Sequence, residues 1–172
     1  MNKTSMKCHV LTFFLIMLAA VTFAEAKIII GEISGAAGEE VLVPIYLEDA
    51  AADTAMVFLR LDYDTARLEE PVSIANGAIA SGEHTVEFYV PEEGRVNIMV
   101  DGGDNLTAFT SQNGEVAVIT FPIKEGVIGE ANVSLTEMPV IPKSGLLDTE
   151  GKNVTHTVQS GTITRINDWV QY

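Results

Sequence analysis

From Lys27 to Ile166 the chain is a succession of short segments in which apolar and polar side chains alternate, each closed by a turn signal. A period of two excludes helical bundles and parallel α/β layers before any other property is consulted. Val41–Leu47 sets Val41, Val43, Ile45 and Leu47 on one face. Ala55–Tyr63 sets Val57, Leu59, Leu61 and Tyr63 on one face and Met56, Phe58, Arg60 and Asp62 on the other, because side chains alternate along a strand. Arg95–Asp101 opposes Val96, Ile98 and Val100 to Arg95, Asn97, Met99 and Asp101. Glu115–Ile123 opposes Val116, Val118 and Thr120 to Ala117, Ile119 and Phe121. Further extended segments are expected at Ile28–Ile33, Leu68–Ile74, His84–Val90 (with no clear face), Ala131–Met138 and Thr157–Ile166. Between them stand Ser34-Gly35-Ala36-Ala37-Gly38, Asn76-Gly77, Glu92-Glu93-Gly94 and Gly126–Glu130. About nine strands at about 8–12-residue spacing predict an all-β, nine-stranded two-sheet sandwich or jelly roll. Pro44 has no N–H for a ladder, so its strand is expected at an edge or with a bulge.

The N-terminus reads differently. Lys3 and Lys7 precede the apolar run Val10–Phe23, and Ala24-Glu25-Ala26 follows as an A-x-A signature. This is the pattern of a helical secretory signal peptide over residues 1–26, and the run is short for a membrane span. A membrane association is expected only if that segment is retained. The domain then runs over residues 27–166, with a short tail at 167–172. The one cysteine, Cys8, precedes the apolar run and leaves with it, so the mature chain is held by packing without a disulfide. Removing Lys3, Lys7 and Glu25 takes the 10 basic and 24 acidic residues to 8 and 23, a net charge of about −15. Such a surface repels nucleic acid and anionic membranes.

Catalytic signatures are missing. The mature chain keeps two histidines, His84 and His156, and contains no HExxH, P-loop, GxSxG or zinc spacing. Both histidines are expected to be structural. Asp101, Asp104 and Asn105, and likewise Asp148, Glu150 and Asn153, offer oxygen ligands that Ca²⁺ takes, but turn formation is the ordinary use of Asp and Asn in Gly-rich loops. Glu69-Glu70 and Glu92-Glu93 are sequence neighbours rather than pairs facing across a cleft. The expectation is no enzyme, no cofactor and no bound metal. N-x-S/T sequons stand at Asn105, Asn132 and Asn153.

Several blocks, in order, carry a family resemblance. GEISGAAGEEVLVPIYL (residues 31–47) is similar to the opening of the cohesin domains, where a Ser-Gly-x-x-Gly turn joins two strands. FLRLDYDTARLE (58–69) matches the family's strand ending in Tyr-Asp, then a turn, then Leu-Glu. GRVNIMVDGGDN (94–105), NGEVAVITFPIKEGVIGEANVSL (113–135) and DTEGKNVTHTVQSGTIT (148–164) resemble the later strands and the closing hairpin.

The resemblance implies a jelly roll that binds a dockerin-bearing protein through one sheet face, without catalysis, in extracellular polysaccharide degradation or surface assembly. It implies partner contacts at Met56, Phe58 and Arg60 on the third strand, Phe88 and Val90 on the fifth, and Asn97 and Met99 on the sixth. Where Met56 and Phe58 stand, the family pattern is often polar. The alternative is a carbohydrate-binding module of related jelly-roll fold, with a polysaccharide as partner. That function usually needs a strip of exposed aromatics, and Tyr46, Tyr63 and Tyr89 form no obvious one.

Overall fold

The structure, a computed structural model, describes residues 25–136 and 145–167. The expected signal segment up to Ala24, and the tail beyond Asn167, lie outside them. The elements within them are all strands: β1 (Ala26–Ile30), β2 (Ile33–Ala36), β3 (Glu40–Glu48), β4 (Thr54–Tyr63), β5 (Ser73–Asn76), β6 (Thr85–Glu92) and β7 (Arg95–Asp101), then β8 (Gly114–Pro122), β9 (Gly129–Thr136), β10 (Gly145–Asp148), β11 (Asn153–Val154), β12 (His156–Gln159) and β13 (Gly161–Asn167). A five-stranded sheet runs β12-β1-β3-β8-β5. An eight-stranded sheet runs β11-β10-β4-β9-β13-β2, with β7 on the other edge of β4 and β6 outside β7. Both sheets are mixed, with β12 parallel to β1 and β13 parallel to β2.

The all-β sandwich is as expected, but there are 13 strands rather than nine. Two of the expected strands each divide where the chain changes sheet. Ile28–Ile33 becomes β1 in one sheet and β2 in the other, and Thr157–Ile166 becomes β12 and β13 in the same way. The two crossings lie side by side. A Cβ on Gly161 would come within 2.6 Å of the Ile30 carbonyl oxygen and 2.7 Å of that of Gly31, so only glycine lets the backbones approach there. The expected Leu68–Ile74 shortens and shifts to β5, and the short β10 and β11 add the remaining two.

The core lies between the sheets. Ile28, Ile45, Leu47, Leu59, Phe121 and Leu146 are among its fully buried side chains, drawn from both layers. Val57, Leu59, Leu61 and Tyr63 all face it, and so do Val96, Ile98 and Val100. In place of an edge position, β3 lies between β1 and β8, and its register shifts one residue past Pro44, between Ile45 and Tyr46. The Pro44 carbonyl accepts the Gly31 N–H at 2.8 Å, just past the end of β1. The missing proline N–H therefore falls where the neighbouring strand has stopped pairing. Asp64 closes β4 as a turn former: its Oδ1 accepts the Ala66 N–H at 2.9 Å and its Oδ2 the Arg67 guanidinium at 2.8 Å.

Candidate functional site

The outward face of the eight-stranded sheet can be read row by row from its register, since directly opposed residues share a face. The first row is Thr85, Asp101, Met56 and Leu147. The second is Glu87, Met99, Phe58 and Gly145. The third is Tyr89, Asn97, Arg60 and Thr136, and the fourth is Glu92, Arg95, Asp62 and Ser134. Each row crosses β6, β7 and β4 and ends on β10 or β9, which pair in succession with the same edge of β4.

The first two rows carry the apolar side chains. Phe58 and Met99 are directly opposed and half-buried. Met56 is 8% exposed, so it faces outward but presents little surface. Gly145 leaves a gap beside Phe58, and the His156 imidazole fills it: its Cε1 lies 2.7 Å from where a Cβ on Gly145 would stand.

The last two rows carry an ordered polar network. Arg60 Nε donates to Asn97 Oδ1 at 3.1 Å. Arg95 Nε donates to Asp62 Oδ1 at 2.7 Å, Thr136 Oγ1 donates to Asp62 Oδ2 at 2.6 Å, and Arg95 Nη1 also meets Glu92. Burial pushes the Asp62 carboxyl up, but the hydrogen bonds from Arg95 and Thr136 and the charges of Arg95 and Arg60 outweigh it and hold the group below the usual value. The guanidinium groups are thus fixed in direction beside an apolar pair. That arrangement suits contact with another protein, where apolar anchors supply area and oriented charges supply register.

The structure therefore brings Met56, Phe58, Arg60, Asn97 and Met99 onto one face and leaves Phe88 and Val90 off it. Phe88 is opposed to the buried Ile98, and Val86, Phe88 and Val90 all pack against the core. The expectation for those two residues is corrected by the pairing of β6 with β7. Tyr89, 66% exposed, and Glu87 take the outward positions instead. The signal was present in the apolar spacing at 86, 88 and 90, but an aromatic at 89 hid it. Leu147 was also missed, because β10 is too short to leave a period, and His156, which begins β12, was expected only as a structural residue.

The loop carboxylates act as turn formers. Asp101 Oδ1 accepts the Gly103 N–H at 3.0 Å, and Asp148 Oδ1 accepts those of Glu150 and Lys152 at 2.8 and 2.9 Å. Among the described residues no three acidic, histidine or cysteine side chains gather closely enough to hold a metal ion. The tyrosines do not share a surface: Tyr46 is on β3 in the five-stranded sheet, Tyr89 on β6 in the other, and Tyr63 is only 6% exposed.

A family model described as Cohesin domain matches residues 26–164. No curated protein matches the chain. Among solved structures, it resembles the sixth cohesin of scaffoldin B from Acetivibrio cellulolyticus, in complex with a mutant Cel5 dockerin. That likeness has a TM-score of 0.69 at 20% identity, over 84% of this chain and 100% of that one. A type I cohesin–dockerin complex from Clostridium thermocellum matches with a TM-score of 0.68 at 17% identity, over 84% and 94%. A non-cellulosomal cohesin from the hyperthermophilic archaeon Archaeoglobus fulgidus matches with a TM-score of 0.65 at 19% identity, over 86% and 94%.

Proposed function

Because this chain belongs to the cohesin domain family, matched over residues 26–164, we propose that it is a secreted, non-catalytic adaptor that receives a dockerin-bearing protein on the outward face of its eight-stranded sheet. The observation that carries this is the second and third rows. The half-buried pair Phe58 and Met99 lies beside the oriented Arg60–Asn97 pair, on a face that the core does not need. Apolar groups exposed in a contiguous patch on a solvated sheet commonly mark an interface. Secretion is supported by Lys3, Lys7, the apolar run Val10–Phe23 and Ala24-Glu25-Ala26. A role in extracellular polysaccharide degradation or surface assembly follows from the same reading, since solved relatives of this fold are bound to dockerins.

The test is capture of dockerin-bearing proteins from the same organism by the purified domain, followed by calorimetric titration. Phe58→Asp and Met99→Asp are expected to abolish binding while circular dichroism stays that of the parent and the thermal transition stays cooperative, lowered by less than for Leu59→Ala. Unchanged affinity in both variants moves the interface elsewhere. Failure to capture any dockerin at micromolar protein, with retention on a polysaccharide column, replaces this reading by the carbohydrate-binding one.

A further inference from the structure

Acidic residues outnumber basic ones in this chain by 24 to 10, so a cation has many carboxylates to meet. Lys27, Arg67, Arg95, Lys124 and Lys152 each stand in an ion pair. Arg60 does not. Among the described residues its side chain has one polar partner, the Asn97 amide, to which Nε donates at 3.1 Å. Asp62 faces the same way two residues along β4, but both its oxygens are engaged elsewhere. Oδ1 accepts from Arg95 Nε at 2.7 Å and Oδ2 from Thr136 Oγ1 at 2.6 Å.

With Nε committed to Asn97, the donors left on Arg60 are its two terminal nitrogens, Nη1 and Nη2. They form a planar fork that fits both oxygens of one carboxylate, whereas a lone carbonyl oxygen meets only part of it. Where the fork stands matters as much as its shape. Phe58 and Met99 make up the adjacent row, about 7 Å along the strand at about 3.4 Å for each of two residues. A partner seated on that apolar pair therefore also covers the half-buried Arg60 and strips water from it. A guanidinium covered without an anion opposes binding. Since Asp62 is engaged with Arg95 and Thr136, the counter-charge has to come from the partner.

Resting on the reading of this face as the dockerin surface, we propose that Arg60 takes a carboxylate side chain of the partner through Nη1 and Nη2, with Asn97 as its positioning residue. The partner is then a dockerin whose contact surface sets an Asp or Glu beside its apolar residues. The probes are the dockerin domains of the same organism, each expressed singly and titrated calorimetrically into the purified protein. Arg60→Gln is expected to weaken the dockerin that binds by about thirtyfold or more, the scale for removing one partner of a covered charge pair, with a cooperative melt retained. Arg60→Lys should restore only part of the loss, since an ammonium keeps the charge but not the fork. Lys27→Gln, which removes the same charge from the five-stranded sheet, should leave the affinity as it is. Among single Asp→Asn and Glu→Gln changes in the dockerin, one should reproduce the loss and add nothing further to Arg60→Gln, as a direct pair requires. A smaller loss in Arg60→Gln, or a loss that adds to that of every dockerin change, overturns the pairing. If Phe58→Asp still abolishes binding in that case, the reading of the sheet face stands without it. Binding of no dockerin by the parent overturns both.

Discussion

The two faces of β4 do opposite work within one strand. Inward, Val57, Leu59 and Leu61 are wholly buried and meet the carbon of the second sheet. Outward, Phe58, Arg60 and Asp62 are half-exposed, and each stands in register with a named side chain of β7: Met99, Asn97 and Arg95. The first row is held by volume and the second by direction. Packing is unspecific in chemistry but severe about shape, whereas hydrogen bonds and ion pairs tolerate water but fix angles. A period of two lets stability and recognition be altered separately on neighbouring residues.

The largest effect that would break this division lies on the inner row. Leu59→Ala is expected to cost about 2–5 kcal/mol in urea unfolding, the range for a buried leucine that leaves a cavity. Phe58→Ala, one residue along, should cost clearly less and should show instead as lost affinity. Equal costs for the two would mean that the outward row is part of the core. The next effect tests whether the division extends to β6. Phe88→Ala should cost about 2 kcal/mol, less than the about 3–5 of a fully buried phenylalanine, because it is only half-buried. Tyr89→Ala should leave the unfolding midpoint within about 0.5 kcal/mol, as exposed positions do, and weaken partner binding. The reverse pattern would put Phe88 back on the recognition face.

How far the sequence could be read follows from the same division. Where apolar and polar residues alternate cleanly, as from Ala55 to Tyr63 and from Arg95 to Asp101, both the strand and its faces were legible. On β6, Tyr89 is apolar in its ring and polar at its hydroxyl, so it serves a wet surface while reading as core. The face there is decided by pairing with Ile98, a contact that no local period encodes. The division of the terminal strands between two sheets was also out of reach. It depends on Gly161 meeting the backbone of Ile30 and Gly31, more than a hundred residues away. Pro44 shows the same limit: its missing donor announced a break in pairing, but only the end of β1 shows on which side.

A smaller effect concerns a polar group on the buried side. His84 is 3% exposed and stacks on Phe109 at 4.5 Å. Its Nδ1 accepts the Ser81 amide at 3.1 Å, and that donor assigns the proton to Nε2, which has no partner. Burial lowers its pKa below 6.5, opposed by the Asp101 charge and by the Ala55 carbonyl, which lies outside hydrogen-bond geometry. A depressed folded pKa means that the unfolded chain takes up its proton first as pH falls. The stability from neutral His84 is therefore complete above the unfolded value of 6.5 and is lost as pH drops through the folded one. Melting temperatures between about pH 7.5 and 5 should fall in the parent and stay flatter in His84→Gln. Parallel curves would show that the imidazole is not held neutral.

The smallest effect belongs to the outward network. Asp62, joined to Arg95 and Thr136, also has a lowered folded pKa, so its contribution is present above the ordinary carboxylate value of 3.8 and is lost as pH falls through the folded one. The two members of the ion pair are 32% and 34% exposed, so water and salt weaken it. Asp62→Asn should therefore lie close to the parent at neutral pH and converge with it in acid, where the parent's carboxylate is protonated. The difference in urea midpoint between about pH 5 and pH 2.5 reads this directly, and added salt should shrink it. If the two proteins lose stability in parallel, the network adds nothing to folding. Its remaining role is then to aim Arg95 and Arg60 at a partner, a role that affinity reads and stability does not. A midpoint difference as large as that of Leu59→Ala would instead show the outward row holding the fold together, and the separation of the two faces would fail.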